Sequence, residues 1–393
     1  MKFFPKNLKI EDKRIILRVD FNVPLEKSKI LDPTRILDVI PFVKELVKKN
    51  AKIILISHLG RPKSKNDTKF SLMPVFEYLK KKISTKIFFY SENIDEDTES
   101  KSLNLKKGEI LFLENIRFNQ GEEANDEKFS KKLSKLGDIY INDAFSCSHR
   151  KQASIHKITY FLKDTYAGPL LKKEIDAINL ILKQKKSPTT CIIGGSKISS
   201  KINVILSLIK NVENIVIVGA MANNFLAFKG HNVGKSLIEE KSDLIINKIY
   251  SEAKKSSCKI IIPEDCKISK SFDGIAENRK KNEINSEEMI LDAGPKTLEL
   301  VKNIIDQSNT VFWNGPIGYF ENDNFSEGTF SIAKKISENT INNSLISILG
   351  GGDTIAAINK SKLKLSFTHL STAGGAFLEY LEGKDLPGLS VLK

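Results

Sequence analysis

Two rhythms of hydrophobic and polar residues alternate along this chain. Short apolar runs at residues 15–20, 52–57, 86–90, 110–114 and 139–141 read as buried strands. Between them, apolar residues return every third or fourth position. Ile36, Val39, Ile40, Val43 and Val47 predict a helix over 34–47, Ser71 caps another that runs to about 81, and a third ends near Leu136 after a polar loop at 119–126. A longer amphipathic helix is expected over 168–183, ended by Ser187-Pro188. The alternation then starts afresh, with strands at 190–193, 215–218, 260–262, 290–291, 311–313, 344–349 and 368–370. Helices are expected from about residue 199 and directly after Asp353-Thr354. Residues 91–107 and 267–288 are polar and read as surface excursions.

Apolar strands alternating with helices call for parallel sheets with helices on both faces. The chain is therefore expected to be α/β, with two Rossmann-like domains joined by a long connecting helix. Its 393 residues suffice for two cores. No apolar run approaches the ~20 residues that span a membrane, and residues 1–7 lack the apolar core of a signal peptide. Four cysteines without Cys-x-x-Cys spacing give no disulfide framework, so the expected address is cytoplasmic.

A net charge of +14 suits nucleic acid or small anions equally. Arginine usage separates the two. Only seven of the 62 basic residues are arginine, and six of these (Arg14, Arg18, Arg35, Arg61, Arg117 and Arg150) fall within the first 150 positions. In a lysine-rich chain, arginine marks places that need a planar fork for carboxylate or phosphate. The lysines are scattered, with no interleaved aromatics to stack bases.

Ligands of parallel α/β sheets bind beyond the carboxyl ends of the strands. In the first half those ends carry Asp20, Asn22, His58, Arg61, Arg117 and Arg150, with Arg35 at the start of its helix. For any one arginine a surface ion pair is the simpler reading, but a cluster repels itself unless it receives a strong anion. His58 and His149 are either ordinary loop residues or phosphate donors. In the second half the strand ends carry glycines. Gly350-Gly351-Gly352 lets backbone N–H groups approach an anion at a helix start. Asp353 can cap that helix or hold a divalent cation. Lys197 and Lys201, four apart near a helix start, can point the same way toward an anion. Residues 230–236 fall one glycine short of a P-loop, and neither a Gly-x-Gly-x-x-Gly after the first strand nor the protein-kinase motif set occurs.

Taken together, Arg18-Val19-Asp20-Phe21-Asn22-Val23-Pro24, Ser57-His58-Leu59-Gly60-Arg61-Pro62, Leu113-Glu114-Asn115-Ile116-Arg117-Phe118 and Gly194-Gly195-Ser196-Lys197 resemble phosphoglycerate kinases. Trp313-Asn314-Gly315-Pro316, Gly350-Gly351-Gly352-Asp353-Thr354 and Ser371-Thr372-Ala373-Gly374-Gly375-Ala376 extend the resemblance, in order, along the whole chain. It implies a glycolytic enzyme that moves phosphate between 1,3-bisphosphoglycerate and ADP, giving 3-phosphoglycerate and ATP, with Mg²⁺. By the same resemblance, residues 1–168 would bind phosphoglycerate through Asp20, Phe21, Asn22, Arg35, His58, Leu59, Gly60, Arg61, Arg117 and Arg150. After a connector at 169–186, residues 187–380 would bind nucleotide through Lys197, Lys201, Glu321, Gly351, Gly352, Asp353 and Thr354, with Asp353 also on the metal. Residues 381–393 would return to the first domain. Arg35, Lys197, Lys201, Gly352 and Gly375 would act on the moving phosphoryl group, in a monomer that closes around its substrates.

Four departures from the family pattern bear on turnover: Lys151-Gln152, Ser200, Val218-Gly219-Ala220, and Ala373. The competing expectations are a catalytically weak paralogue and a basic nucleic-acid-binding protein.

Overall fold

The computed structural model describes residues 1–183 and 186–392 and contains two compact units. The first comprises Met1–Ile175 and the chain from Asp385 on, and the second Asp176–Lys384.

The first unit runs β1 (Arg14–Arg18), a hairpin of β2 (Leu25–Glu26) and β3 (Lys29–Ile30), α1 (Thr34–Lys48), β4 (Lys52–Ile56), α2 (Met73–Lys80) and β5 (Ile87–Tyr90). It continues through α3 (Glu96–Leu103), β6 (Ile110–Leu113), α4 (Gln120–Glu123), α5 (Glu127–Ser134), β7 (Ile139–Asn142) and β8 (Asp164–Ala167). The connector α6 (Pro169–Leu182) contains the division between the units, and Gln184 and Lys185 of the expected connector lie outside the described residues. Six parallel strands take the order β5-β6-β4-β1-β7-β8. β1 sits centrally, with Ile16 registered against Ile54 on one side and Tyr140 on the other. Strands covered on both faces need continuous apolar sequence, which is why these runs are uninterrupted.

The second unit runs β9 (Thr189–Ile193), α7 (Ile202–Ile209), β10 (Asn214–Ile217), α8 (Met221–Phe228), α9 (Asp243–Lys255), β11 (Lys259–Ile261), β12 (Asp265–Ser269), β13 (Glu277–Lys280) and β14 (Met289–Ala293). Then come α10 (Pro295–Asp306), β15 (Thr310–Asn314), α11 (Glu327–Asn342), β16 (Ile346–Gly350), α12 (Gly352–Ser361), β17 (His369–Ser371) and α13 (Gly375–Leu381). Its parallel sheet takes the order β11-β10-β9-β15-β16-β17. In both sheets the chain reverses its direction of travel beside the first strand, at β1 and β9, which opens a crevice at their carboxyl ends.

The last described helix, α14 (Pro387–Ser390), belongs to the first unit. The amide of Gly388 donates to Ser148 O (2.8 Å), Asn142 Nδ2 donates to Gly388 O (3.2 Å), and the amide of Lys2 donates to Leu392 O (3.1 Å).

Several expectations need correction. Residues 91–107 contain α3, whose start is fixed by Asp95 accepting from the amides of Asp97 and Thr98 while Thr98 Oγ1 accepts from the Asp95 amide. Its buried residues are Thr98 and Ser102, so it packs through small polar side chains and shows no apolar period. Residues 267–288 contribute β12 and β13 to a separate antiparallel sheet of order β13-β12-β14, which takes the 290–291 strand away from the parallel alternation. The polar loop at 119–126 includes the helical turn α4, and the edge strand β8 adds to the expected set. Helix α7 begins at Ile202, so Lys197 lies in the loop before it and the four-residue spacing to Lys201 is not a helical one.

Candidate active site

In the first unit the carboxyl ends of β1, β4, β6 and β7 bring the expected polar residues together. Ser57 Oγ donates to Val19 O (3.0 Å) and accepts from the Phe21 amide (2.8 Å), locking the turn after β1 to the end of β4. That turn presents Asp20. One carboxylate oxygen accepts from Arg35 Nη1 (2.8 Å) and from Ser146 Oγ, and the other from the Asn22 amide (2.9 Å). Burial alone would raise this carboxyl, but Arg35 and these hydrogen bonds outweigh it and hold it below its ordinary value. Asn22 Oδ1 accepts from the Gly60 amide (2.8 Å), and Asn115 Nδ2 donates to Leu59 O (2.7 Å).

Arg117 is almost wholly buried and spends one nitrogen on Gly60 O (2.6 Å). Its Nε finds no hydrogen-bond partner among the described residues, lying 3.6 Å from Glu123 Oε1. A buried guanidinium with an unused donor is costly unless an anion completes it. Arg61 is exposed on the loop after β4, and half-buried Arg150 donates to His149 Nε2 (3.1 Å). Arg14 sits at the opposite end of β1 in an ordinary ion pair with Asp138 (2.9 Å).

Phe21 and Leu59 are expected to meet substrate, yet their side chains belong to the core, so only their backbones can face a ligand. His58 is also buried, between Arg18 Nη2 (3.4 Å) and Asp20 (4.0 Å). Burial, with Arg18, Arg117 and Arg35 added and Asp20 opposing, keeps its imidazole well below the ordinary histidine value. A base depressed by folding contributes stability that is whole above pH about 6.5 and is lost as pH falls below it. The His58 ring should therefore still be neutral at pH about 6, where an unperturbed imidazole is mostly protonated. Ring ¹⁵N shifts report this directly, and a protonated ring at that pH would contradict the packing described. Sequence reasoning missed the layer behind it: Arg18, fully buried, donates from Nε to Ser154 Oγ (2.9 Å), which in turn donates to buried Glu122 (2.6 Å).

The second unit gathers glycine turns where its sheet reverses. A Cβ on Gly194 would fall far inside contact distance of the Pro316 carbonyl oxygen and 2.8 Å from Gly315 O, so the ends of β9 and β15 touch through bare backbone. By contrast, a Cβ on Gly352, Gly374 or Gly375 would meet nothing within 4 Å, which leaves open space over the first amides of α12 and α13. Gly351 (φ +100°) and Gly374 (φ +59°) need the left-handed region. The departures are compatible with these turns, since Ala220 has φ −62° and Ala373 is not among the positive-φ residues.

Lys201 Nζ donates to Asn314 Oδ1, while Asn314 Nδ2 donates to Gly350 O (2.8 Å) and Thr354 Oγ1 accepts from the Gly315 amide (2.7 Å). Asn314 thus ties a lysine to the glycine turn, a role that no local pattern in the sequence signals. Burial lowers the Lys201 ammonium while Asp353 opposes it. Asp353 is exposed in the first turn of α12, not at its cap, which is Gly351. Lys197 is exposed in its loop, where Ser200 Oγ donates to its carbonyl (2.8 Å). Beside these turns a cavity of about 610 Å³ opens, walled by apolar groups such as Leu237, Pro263 and Leu291, with Glu321 and Asp353 on its lining. Such a site suits a flat apolar ring joined to an anion.

The phosphoglycerate kinase family model matches residues 6–384. Phosphoglycerate kinase from Wolbachia sp. subsp. Drosophila simulans (strain wRi) is 42% identical over 390 residues, covering 99% of this chain and 98% of its own. That of Orientia tsutsugamushi (strain Ikeda) is 43% identical over 394 residues, covering 98% and 95%. The structure of phosphoglycerate kinase from Coxiella burnetii superposes with a TM-score of 0.90 at 35% identity, covering 98% of this chain and 97% of its own. A family model spanning nearly the whole chain and relatives of this identity along its full length leave one assignment: the chain belongs to the phosphoglycerate kinase family.

Proposed function

We propose that the chain transfers a phosphoryl group reversibly between 1,3-bisphosphoglycerate and ADP, with phosphoglycerate held by the first unit and nucleotide by the second. What carries the reading is the division of site chemistry within one chain. A buried guanidinium with an unused donor, that of Arg117, lies at the strand ends of the first unit, while the second offers open helix-start amides beside a largely apolar cavity. Neither the weak-paralogue nor the nucleic-acid reading draws support from a specific observation, and one chain holding both ligand sets needs no second copy. A coupled assay of ATP formation from 1,3-bisphosphoglycerate tests the function, and no activity with folded protein would refute it.

In this reading Arg61, Arg117 and Arg150 hold the phosphate of phosphoglycerate, and Asp20, Asn22 and Arg35 hold its hydroxyl and carboxyl end. Lys201 and the amides of Gly351, Gly352, Asp353 and Thr354 hold the nucleotide phosphates, Glu321 the ribose, and the cavity the base. Among the described residues no group of three metal-ligating side chains occurs. Asp353 alone fits a cation that takes its other oxygens from phosphate and water, as Mg²⁺ does. When bound, Mg²⁺ would neutralise phosphate charge.

The transfer passes through a loose transition state, so positioning and positive charge do the catalysis. In this reading Lys197 and Arg35 would act on the moving oxygens, with the helix-start amides of Gly352 and Gly375 adding positive charge. No general base is needed, because the attacking oxygen is already ionised. The reacting atoms must come within about 3–3.5 Å, with water kept from the acyl phosphate.

Arg61→Lys is expected to weaken 3-phosphoglycerate binding while sparing ADP, because lysine keeps the charge but not the fork. Calorimetric titration with each ligand checks this, and equal losses for both would reject the assignment.

A further inference from the structure

Helix α12 joins the phosphate loop at its N-terminus to Lys360 near its end. Asp353 and Lys360 are seven residues apart, so they share one face of the helix. Lys360 Nζ donates to the backbone carbonyls of Phe320 (3.0 Å) and Glu321 (2.8 Å) and lies 2.8 Å from Asp323 Oδ1. An ammonium has three donors, and all three converge on one short stretch between β15 and α11. That stretch carries Glu321 onto the lining of the cavity that Asp353 also lines. An ordinary surface lysine pairs loosely with one carboxylate and contributes little. Two adjacent carbonyls cannot be held that way without fixing the backbone between them. The helix is a rigid spacer of about 1.5 Å per residue, so the clamp sets how far the Glu321 backbone lies from the Gly351–Thr354 turn.

We propose that Lys360 is a positioning residue for the nucleotide, holding Glu321 at the separation from the phosphate loop that lets its carboxylate meet the ribose hydroxyls while the loop holds the phosphates. This rests on the reading that Glu321 binds ribose. Lys360 touches no ligand itself. Its loss should leave the phosphate loop intact and release only the carboxylate.

The test compares ADP with 2′,3′-dideoxy-ADP in the parent enzyme and in Glu321→Gln, Lys360→Met and Lys360→Arg, reading KM and kcat for each. A hydrogen bond from a neutral hydroxyl to a carboxylate should make the parent prefer ADP about tenfold or more. Glu321→Gln should abolish most of that preference. Lys360→Met should shrink it several-fold through a higher KM for ADP, with KM for the dideoxy analogue unchanged, and Lys360→Arg should restore part of it. Equal losses for both nucleotides, or an unchanged preference in Lys360→Met while Glu321→Gln loses it, would overturn the role given to Lys360. A preference retained in Glu321→Gln would instead remove the ribose assignment, and the inference with it.

Discussion

Lys197→Ala is expected to keep the fold and most of the nucleotide affinity while turnover falls by about 10²–10³. The side chain is exposed in the loop between β9 and α7, so the substitution removes no core contact and opens no cavity. The neighbouring Lys201 remains on Asn314 and the Gly351–Thr354 turn is untouched, so the proposed ground-state hold on ADP should survive. On the proposed role, what should disappear is one donor to charge that develops only as the phosphoryl group moves. A loss confined to the transition state lowers kcat and kcat/KM together. Steady-state kinetics on the purified variant, with circular dichroism to confirm folding, give the answer. A kcat near that of the parent would exclude Lys197 from the transfer step.

Gly194→Ala should fail in a different way, losing stability and ADP affinity together. The added carbon would collide with the carbonyls of Pro316 and Gly315, which are backbone atoms and cannot rotate away. The Gly194 amide also donates to Asn314 O (2.8 Å), so pushing the two strand ends apart breaks a hydrogen bond and moves Asn314, which holds Lys201. Overpacking of this kind costs about 1–3 kcal/mol. The denaturant midpoint should fall, and ADP should bind more weakly in calorimetry, while 3-phosphoglycerate binding by the first unit is unaffected. An unchanged midpoint with normal ADP affinity would mean that the contact between β9 and β15 is slack.

Lys197 and Gly194 are both legible in the amino-acid sequence, for the same reason that the two main sheets are. Strands buried on both faces write themselves as apolar runs, and the glycines ending them mark where backbone must approach backbone or anion. Helix α3 is hidden because its inward residues are Thr98 and Ser102, which carry no hydrophobic signal. The antiparallel sheet is hidden because β13 is Glu277–Lys280, a polar strand lying on the protein surface. Phe21 and Leu59 show that a motif records neighbourhood and not which way a side chain turns, for both side chains lie in the core. The apolar cavity of the second unit has no sequence signature at all. Its walls are ordinary apolar residues drawn from distant segments such as Leu237, Pro263 and Leu291.

The return of the chain to its first unit has a consequence for synthesis on the ribosome. Leu386, Leu389 and Leu392 are buried, and Gly388 is hydrogen-bonded to Ser148 and Asn142 beside the loop that bears Ser146 and Arg150. These residues are translated after everything in the second unit. Domains usually fold in the order they emerge, but here the first unit lacks part of its apolar cover until residues 385–392 have been made. The second unit contains none of these residues, whereas the loop bearing Ser146 and Arg150 lacks its packing until they arrive. On the proposed reading, a released chain that stops at residue 384 should thus keep its second unit whole while its first unit binds 3-phosphoglycerate poorly.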